Sequence, residues 1–373
     1  MLLSLPKCAV IVCATVACAA VATVGAAQTA APNKPAAVNG SAPATKAFTP
    51  KRLPWGDPDI SGNFTTKGEA NTPLERPDEW AGKRIEDITP AELAKANVKR
   101  RRNALANAPF PGGGSRERGV AIAVPIHWFD NLDNENLRPW LLADPPDGKI
   151  PPLTEEGKKR AAVAGAVWAG QTLVRNGRGS ADSYTDRFNS DRCIIQSILA
   201  VRALPGGYGS SHQIVQTKDY VAIRHEMIHE TRVIPIAGRA AARDHNGPTL
   251  ASYAGDAIAH WEGDTLVVET TNYNGRMPYR GSTPALRTVE RFRRVGPHMV
   301  AWTVTIDDPQ TWTRPWTIAV PWTEDYSQPI FEYACHEGNY GLRNILSAGR
   351  SDDRKGIASS DDVDAQGDLN DFE

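Results

Sequence analysis

The chain has 373 residues, with 42 basic and 43 acidic side chains and 41% hydrophobic residues. A net charge of −1 leaves no electrostatic footprint for nucleic acid or an anionic membrane surface, so neither is an expected partner. The length suits one large domain or two small ones.

Lys7 precedes an apolar run from Cys8 to Val24 that breaks into Gly25-Ala26-Ala27, the pattern of a secretory signal peptide over 1–27 with cleavage near Ala27. The run is too short and wrongly flanked for a membrane span, and no other segment reaches about eighteen apolar residues, so none is expected. The mature chain is therefore expected in the periplasm or outside the cell. Cleavage removes Cys8, Cys13 and Cys18 and leaves Cys193 and Cys335, which are expected to be bridged in that compartment. Two buried free thiols are the alternative. Residues 28–50, poor in large apolar groups, are expected to be a disordered linker.

From 51 to 205 the chain is rich in proline and glycine and is expected to lie as irregular segments over a β-structure, with two helices. The first has Thr89 as N-cap, Pro90 at its first position and Glu92 at its third, and runs to Asn107 before Pro109. The second starts at Thr154, with Glu155 and Glu156 in its first turn, and ends near Gly170. Lys99-Arg100-Arg101-Arg102 on the first helix reads as a solvated charged face rather than a binding patch.

From 206 to 349 the periodicity changes to two. Strands are expected at 213–217, 220–227, 231–236, 256–262, 264–271, 286–294, 299–306, 312–321 and 329–335, rich in Val, Ile, Thr, Trp and Tyr. Consecutive strands with short turns form an antiparallel meander, and a sheet of this size closes to remove its edges. The fold class is thus mainly β, a barrel with an irregular, helix-bearing N-terminal half. Residues 350–373, with eight acidic side chains, are expected to be a disordered tail.

His225, Glu226 and His229 spell H-E-x-x-H, the signature of zinc peptidases, which requires a helix carrying both imidazoles on one face. The flanks Tyr220-Val221-Ala222-Ile223 and Thr231-Arg232-Val233-Ile234-Pro235 are β-formers closed by a proline. On a strand, residues four apart lie about 13 Å from each other, too far to share one ion. A zinc metallopeptidase is therefore the third of three functional expectations.

Trp55 to Gly62 (W-G-D-P-D-I-S-G), His260 to Tyr273 (H-W-E-G-D-T-L-V-V-E-T-T-N-Y), Arg314 to Thr317 (R-P-W-T) and Glu332 to Tyr340 (E-Y-A-C-H-E-G-N-Y) resemble a group of secreted bacterial proteins without an assigned activity. The resemblance spans roughly residues 52–349 and carries no catalytic residues. In strand number and turn length the meander also resembles the calycin barrels, the lipocalin and fatty-acid-binding class. Phe64 in Ile60-Ser61-Gly62-Asn63-Phe64 stands where the lipocalin opening has tryptophan.

The first functional expectation is a barrel that binds a small apolar or aromatic ligand, with Met227, Trp302 and Trp316 on its wall. The second is a metal-independent lyase, isomerase or hydrolase using His225, Glu226, His229, Glu269 and His336 in the barrel cavity. Alternation puts His225, Met227 and His229 on one face, with Glu269 facing them across the lumen and His336 near its mouth. No cofactor is expected. Gly112-Gly113-Gly114 lacks the Gly-Lys-Ser/Thr of a phosphate loop, and no Gly-x-Ser-x-Gly occurs.

Overall fold

Strict alternation along the second half of the chain produces one large antiparallel sheet whose inward positions are mostly apolar. A computed structural model describes residues 48–107, 136–164, 167–168, 171–172, 183–187, 189–206, 209–327 and 329–355. The signal-peptide segment 1–27, most of the linker 28–50 and the end of the acidic tail lie outside these residues.

The strands are β1 (Gly62–Thr65), β2 (Leu142–Asp144), β3 (Val167–Trp168), β4 (Gln171–Thr172), β5 (Ser211–Gln216), β6 (Tyr220–His225), β7 (Thr231–Pro235), β8 (Asp256–Glu262), β9 (Thr265–Thr271), β10 (Arg287–Gly296), β11 (Met299–Asp307) and β12 (Trp316–Glu324). Their order is β7-β6-β5-β1-β12-β11-β10-β9-β8, with β2 added against β12 and β3–β4 forming a separate pair. Within this path every pair of neighbours is antiparallel. Nine strands with alternating direction leave the two ends of the path parallel. These ends meet where Ile236 bridges Ala259 in parallel register and the Ala237 N–H donates to the Ala259 carbonyl at 2.7 Å. The sheet is thereby nearly closed into the expected barrel.

Inward positions fill the interior with side chains. Val300, Trp302, Val304 and Ile306 of β11 are all buried, and Phe64, His212, Phe292 and Trp302 surround Trp322 with ring centroids 4.8 to 6.0 Å from it. Each such apolar side chain contributes about 1.5–3 kcal/mol on full burial. At one end of the barrel Arg294 lies over Phe64 and donates to the Asp59 and Ser61 carbonyls. The opposite end, at the start of β5 and the end of β6, carries the candidate site.

Several expectations need correction. β1 and β2 come from the irregular half, so the sheet does not respect a boundary at 205; β1 joins β5 to β12. The strand expected at 312–321 is β12, delayed to Trp316 because Pro315 cannot donate to a ladder. Residues 329–335 form no strand but an irregular strap. Of the helices, α1 (Pro90–Asn107) matches, with the Thr89–Glu92 capping box formed. α2 (Glu155–Ala164) does not extend to Gly170, because Val167–Trp168 pairs with Gln171–Thr172 instead. α3 (Tyr340–Lys355) occupies the start of the segment expected to be disordered, with Leu342, Ile345 and Leu346 half-buried along one stripe. The basic run on α1 is not simply solvated. Arg100 lies 5.8 Å from the Trp80 ring and donates to the Arg138 and Pro139 carbonyls, and Lys99 pairs with Glu79 at 2.8 Å. Cys193 and Cys335 are bridged, tying the strap to the segment before β5 across 142 positions.

Candidate functional site

The β5–β6 hairpin sets His212 directly opposite His225. Both imidazoles face inward and are 1% exposed, with their Nδ1 atoms 3.0 Å apart. One ring donates and the other accepts, so the accepting ring is neutral, and with both rings neutral the two are opposite tautomers. Burial, then the charge of Arg202, brings the His212 pKa down to about 3; burial, then His212, Arg232 and Arg202, holds His225 well below its ordinary value. His212 Nε2 lies 3.4 Å from Thr66 Oγ1, whereas His225 Nε2 is buried without a hydrogen-bond partner.

After His225 the chain turns rather than continuing as strand or helix. The Glu226 N–H donates to the Ser211 carbonyl, Met227–His229 make one 3-10 turn, and Ile228 and His229 have φ of +54° and +42°. Met227 is buried against Gly209, where an added Cβ would sit 2.3 Å from the Met227 sulfur at a φ of +65°, so only glycine fits. His229 is exposed and its Nδ1–H donates to the Tyr333 carbonyl at 2.9 Å. The helix that a zinc peptidase needs is not formed. Among the described residues no group of three His, Cys, Asp or Glu side chains is arranged to hold a metal ion.

The turn then directs Glu230 back into the protein. Its Oε1 accepts the Gln196 N–H at 3.2 Å and its Oε2 lies 3.5 Å from Arg202 Nε. Burial pushes this carboxyl up to about 7, against the opposing pull of Arg202, the Gln196 N–H, Arg232 and His229. Two residues on, Arg232 grips Glu290 with both terminal nitrogens, at 2.5 and 2.9 Å, and Trp302 Nε1 donates to the same carboxylate at 3.2 Å.

Outside this polar layer lies a cavity of about 310 Å³. Its apolar side is Leu74, Leu141, Val201, Leu204, Pro205 and Tyr279. Thr72, Gln196, Ser197, Arg202 and Arg280 supply its hydrogen-bonding groups. Trp316 is fully buried behind this wall, with its ring 6.2 Å from that of Tyr279.

The expected wall of His225, His229 and Glu269 is not formed. Leu266, Val268 and Thr270 are the inward residues of β9, so Glu269 points outward and pairs with Arg287 at 2.7 Å. His229 left the inward face because the strand ended at His225, and His336 is exposed beyond the bridged Cys335. Glu226 is half-buried in the turn, and Trp302 is committed to Glu290 inside the barrel. The structure assembles instead His212, Gln196, Arg202, Glu230 and Arg280. His212 was findable, since counting back from the Lys218-Asp219 turn pairs 212 with 225. The others come from irregular segments without periodicity. Comparison with family models, with curated proteins and with solved structures returned no match.

Proposed function

We propose that this chain is an extracytoplasmic small-molecule-binding protein whose site is the cavity at the end of the barrel, taking a ligand with an apolar or aromatic body. The observation that carries this reading is the cavity wall, in which six apolar and five hydrogen-bonding side chains line about 310 Å³. Ligand pockets of about 300–1,000 Å³ set apolar side chains beside polar groups that fix a ligand's orientation. The bridged Cys193–Cys335 pair supports the compartment, together with the signal-peptide pattern over 1–27. An enzyme of proton transfer is a second reading, favoured by the carboxyl of Glu230 at about 7. Glu230 stands behind Gln196 and Arg202, which themselves line the cavity, and this placement favours binding over direct proton transfer to a ligand.

The test is titration with N-phenylnaphthylamine, an apolar fluorescent probe. Leu204→Arg, which puts a charge into the apolar wall, is expected to weaken probe binding at least about tenfold while the thermal unfolding midpoint stays near that of the wild type. Equal probe binding by the two proteins would remove the cavity as the site.

A further inference from the structure

The cavity is not uniformly apolar, because two guanidinium groups line it from different segments. Arg202 comes from the turn after Leu199–Val201, and Arg280 from the loop before β10. Arg280 Nε is buried without a hydrogen-bond partner, and its backbone holds φ at +49°, a left-handed conformation that is strained for a non-glycine residue. Two cations beside an apolar wall describe a receptor for an anion attached to an apolar body.

Arg202 already has an anionic neighbour behind the wall. Glu230 is buried, and its Oε2, which accepts no hydrogen bond, lies 3.5 Å from Arg202 Nε as an ion pair. An anion arriving in the cavity would draw Arg202 toward itself and away from Glu230. A buried carboxylate deprived of its cation is costly, and the least costly remedy is to take up a proton.

Resting on the small-molecule-binding reading above, we infer that the ligand carries an acidic group, held by Arg202 and Arg280, and that Glu230 takes up one proton as Arg202 turns from it to the ligand. The groups that face Glu230 are compatible with this exchange. Of the cations that face it, Arg202 alone lines the cavity and so can reach a ligand there. Arg232 on β7 is held by both oxygens of Glu290 on β10, the Gln196 N–H stays on Oε1, and His229 is held by the Tyr333 carbonyl. The neutral His225 at the end of β6 supplies no charge. The proton comes from solvent, and no bond other than O–H is made or broken. The resting carboxyl titrates at about 7, so the exchange falls within an accessible pH range.

Hydrocinnamate and its neutral amide, titrated calorimetrically into the full chain between about pH 6 and about pH 9, test this. The acid is expected to bind at least about tenfold tighter than the amide below pH 7. Its affinity should then fall about tenfold per pH unit above pH 7, with uptake approaching about one proton per ligand when phosphate and Tris buffers are compared. Glu230→Gln, which keeps the acceptor for the Gln196 N–H, should abolish both the pH dependence and the uptake. Arg280→Gly, which relieves the positive φ and so folds, should shrink the acid's advantage. Acid and amide binding equally would overturn the acidic-group assignment. An acid preference without proton uptake would overturn the role of Glu230, and in both cases the cavity stands. Failure of acid, amide and N-phenylnaphthylamine alike would remove the site itself.

Discussion

At the scale of single residues, the least expected feature is a neutral histidine pair in a barrel core. Two imidazoles in contact are tolerable there because each satisfies one nitrogen of the other, and because burial keeps both unprotonated. Removing one partner breaks that arrangement. His225→Leu should cost about 1–3 kcal/mol by leaving His212 Nδ1 unsatisfied, and His212→Leu combined with His225→Leu should cost less than the sum of the single changes. The pH dependence has a definite sign. Between the ordinary histidine value of 6.5 and about 3, the unfolded chain takes up protons that the folded pair refuses, so stability is lost as pH falls through this window. Each histidine contributes up to about 1.4 kcal/mol per pH unit there. Glu230, raised rather than lowered, works in the opposite direction in both proteins and cancels in their difference. Urea unfolding at about pH 7 and about pH 5 should therefore show the double variant losing less stability on acidification than the wild type. Parallel losses would contradict the assignment of two neutral, buried imidazoles.

At the scale of elements, what could be read from the sequence depended on how an element is stabilised. β8, β9, β10 and β11 were legible because each buries one face, and burial writes a period of two into the chain. β1 was not, because four residues among prolines and glycines carry too short a pattern, and its pairing is set by the strands on either side. The strap at 329–335 was misread because Phe331, Tyr333 and Cys335 alternate like a strand while tertiary tethers hold them. These tethers are the bridge to Cys193, the Asn339 amide donating to the Asp191 carbonyl at 2.8 Å, and the His229–Tyr333 hydrogen bond. For the site, alternation found His225 but not Glu230, Arg202 or Arg280, which depend on turns and on a loop whose geometry is not periodic. The bridge should be the strongest tether. In the chain-entropy account, closing 142 positions contributes about 4–5 kcal/mol. Cys193→Ser combined with Cys335→Ser should lower the thermal midpoint by several degrees and expose the chain between β12 and α3 to limited proteolysis, beginning near the exposed Tyr326 and Phe331. A digestion pattern matching that of the oxidised wild type would mean that the other contacts hold the strap unaided.

At the scale of the whole molecule, the ion pair between Arg232 and Glu290 ties together parts of the sheet that are far apart along its edge. β7 is one end of the strand order, and β10 lies beyond β6, β5, β1, β12 and β11, so the two can touch only because the sheet curls around the interior. The pair is nearly complete in hydrogen bonds, with both Arg232 terminal nitrogens on the carboxylate and the Trp302 indole on Oε1. Such a buried pair adds little net stability compared with an apolar substitute, because desolvating both ions offsets their attraction, but losing one partner strands a charge. Arg232→Met should therefore destabilise the protein by about 3–5 kcal/mol. Adding Glu290→Gln removes the stranded charge while keeping an acceptor for Trp302, and should recover most of that loss. The outer-face pair Arg287–Glu269 is a matched control, because it is solvent-exposed and worth about 0–1 kcal/mol. Urea midpoints for Arg232→Met, the double variant and Glu269→Gln decide the matter. If Arg232→Met costs no more than Glu269→Gln, the pair does not span a dry interior and the sheet is not closed around it.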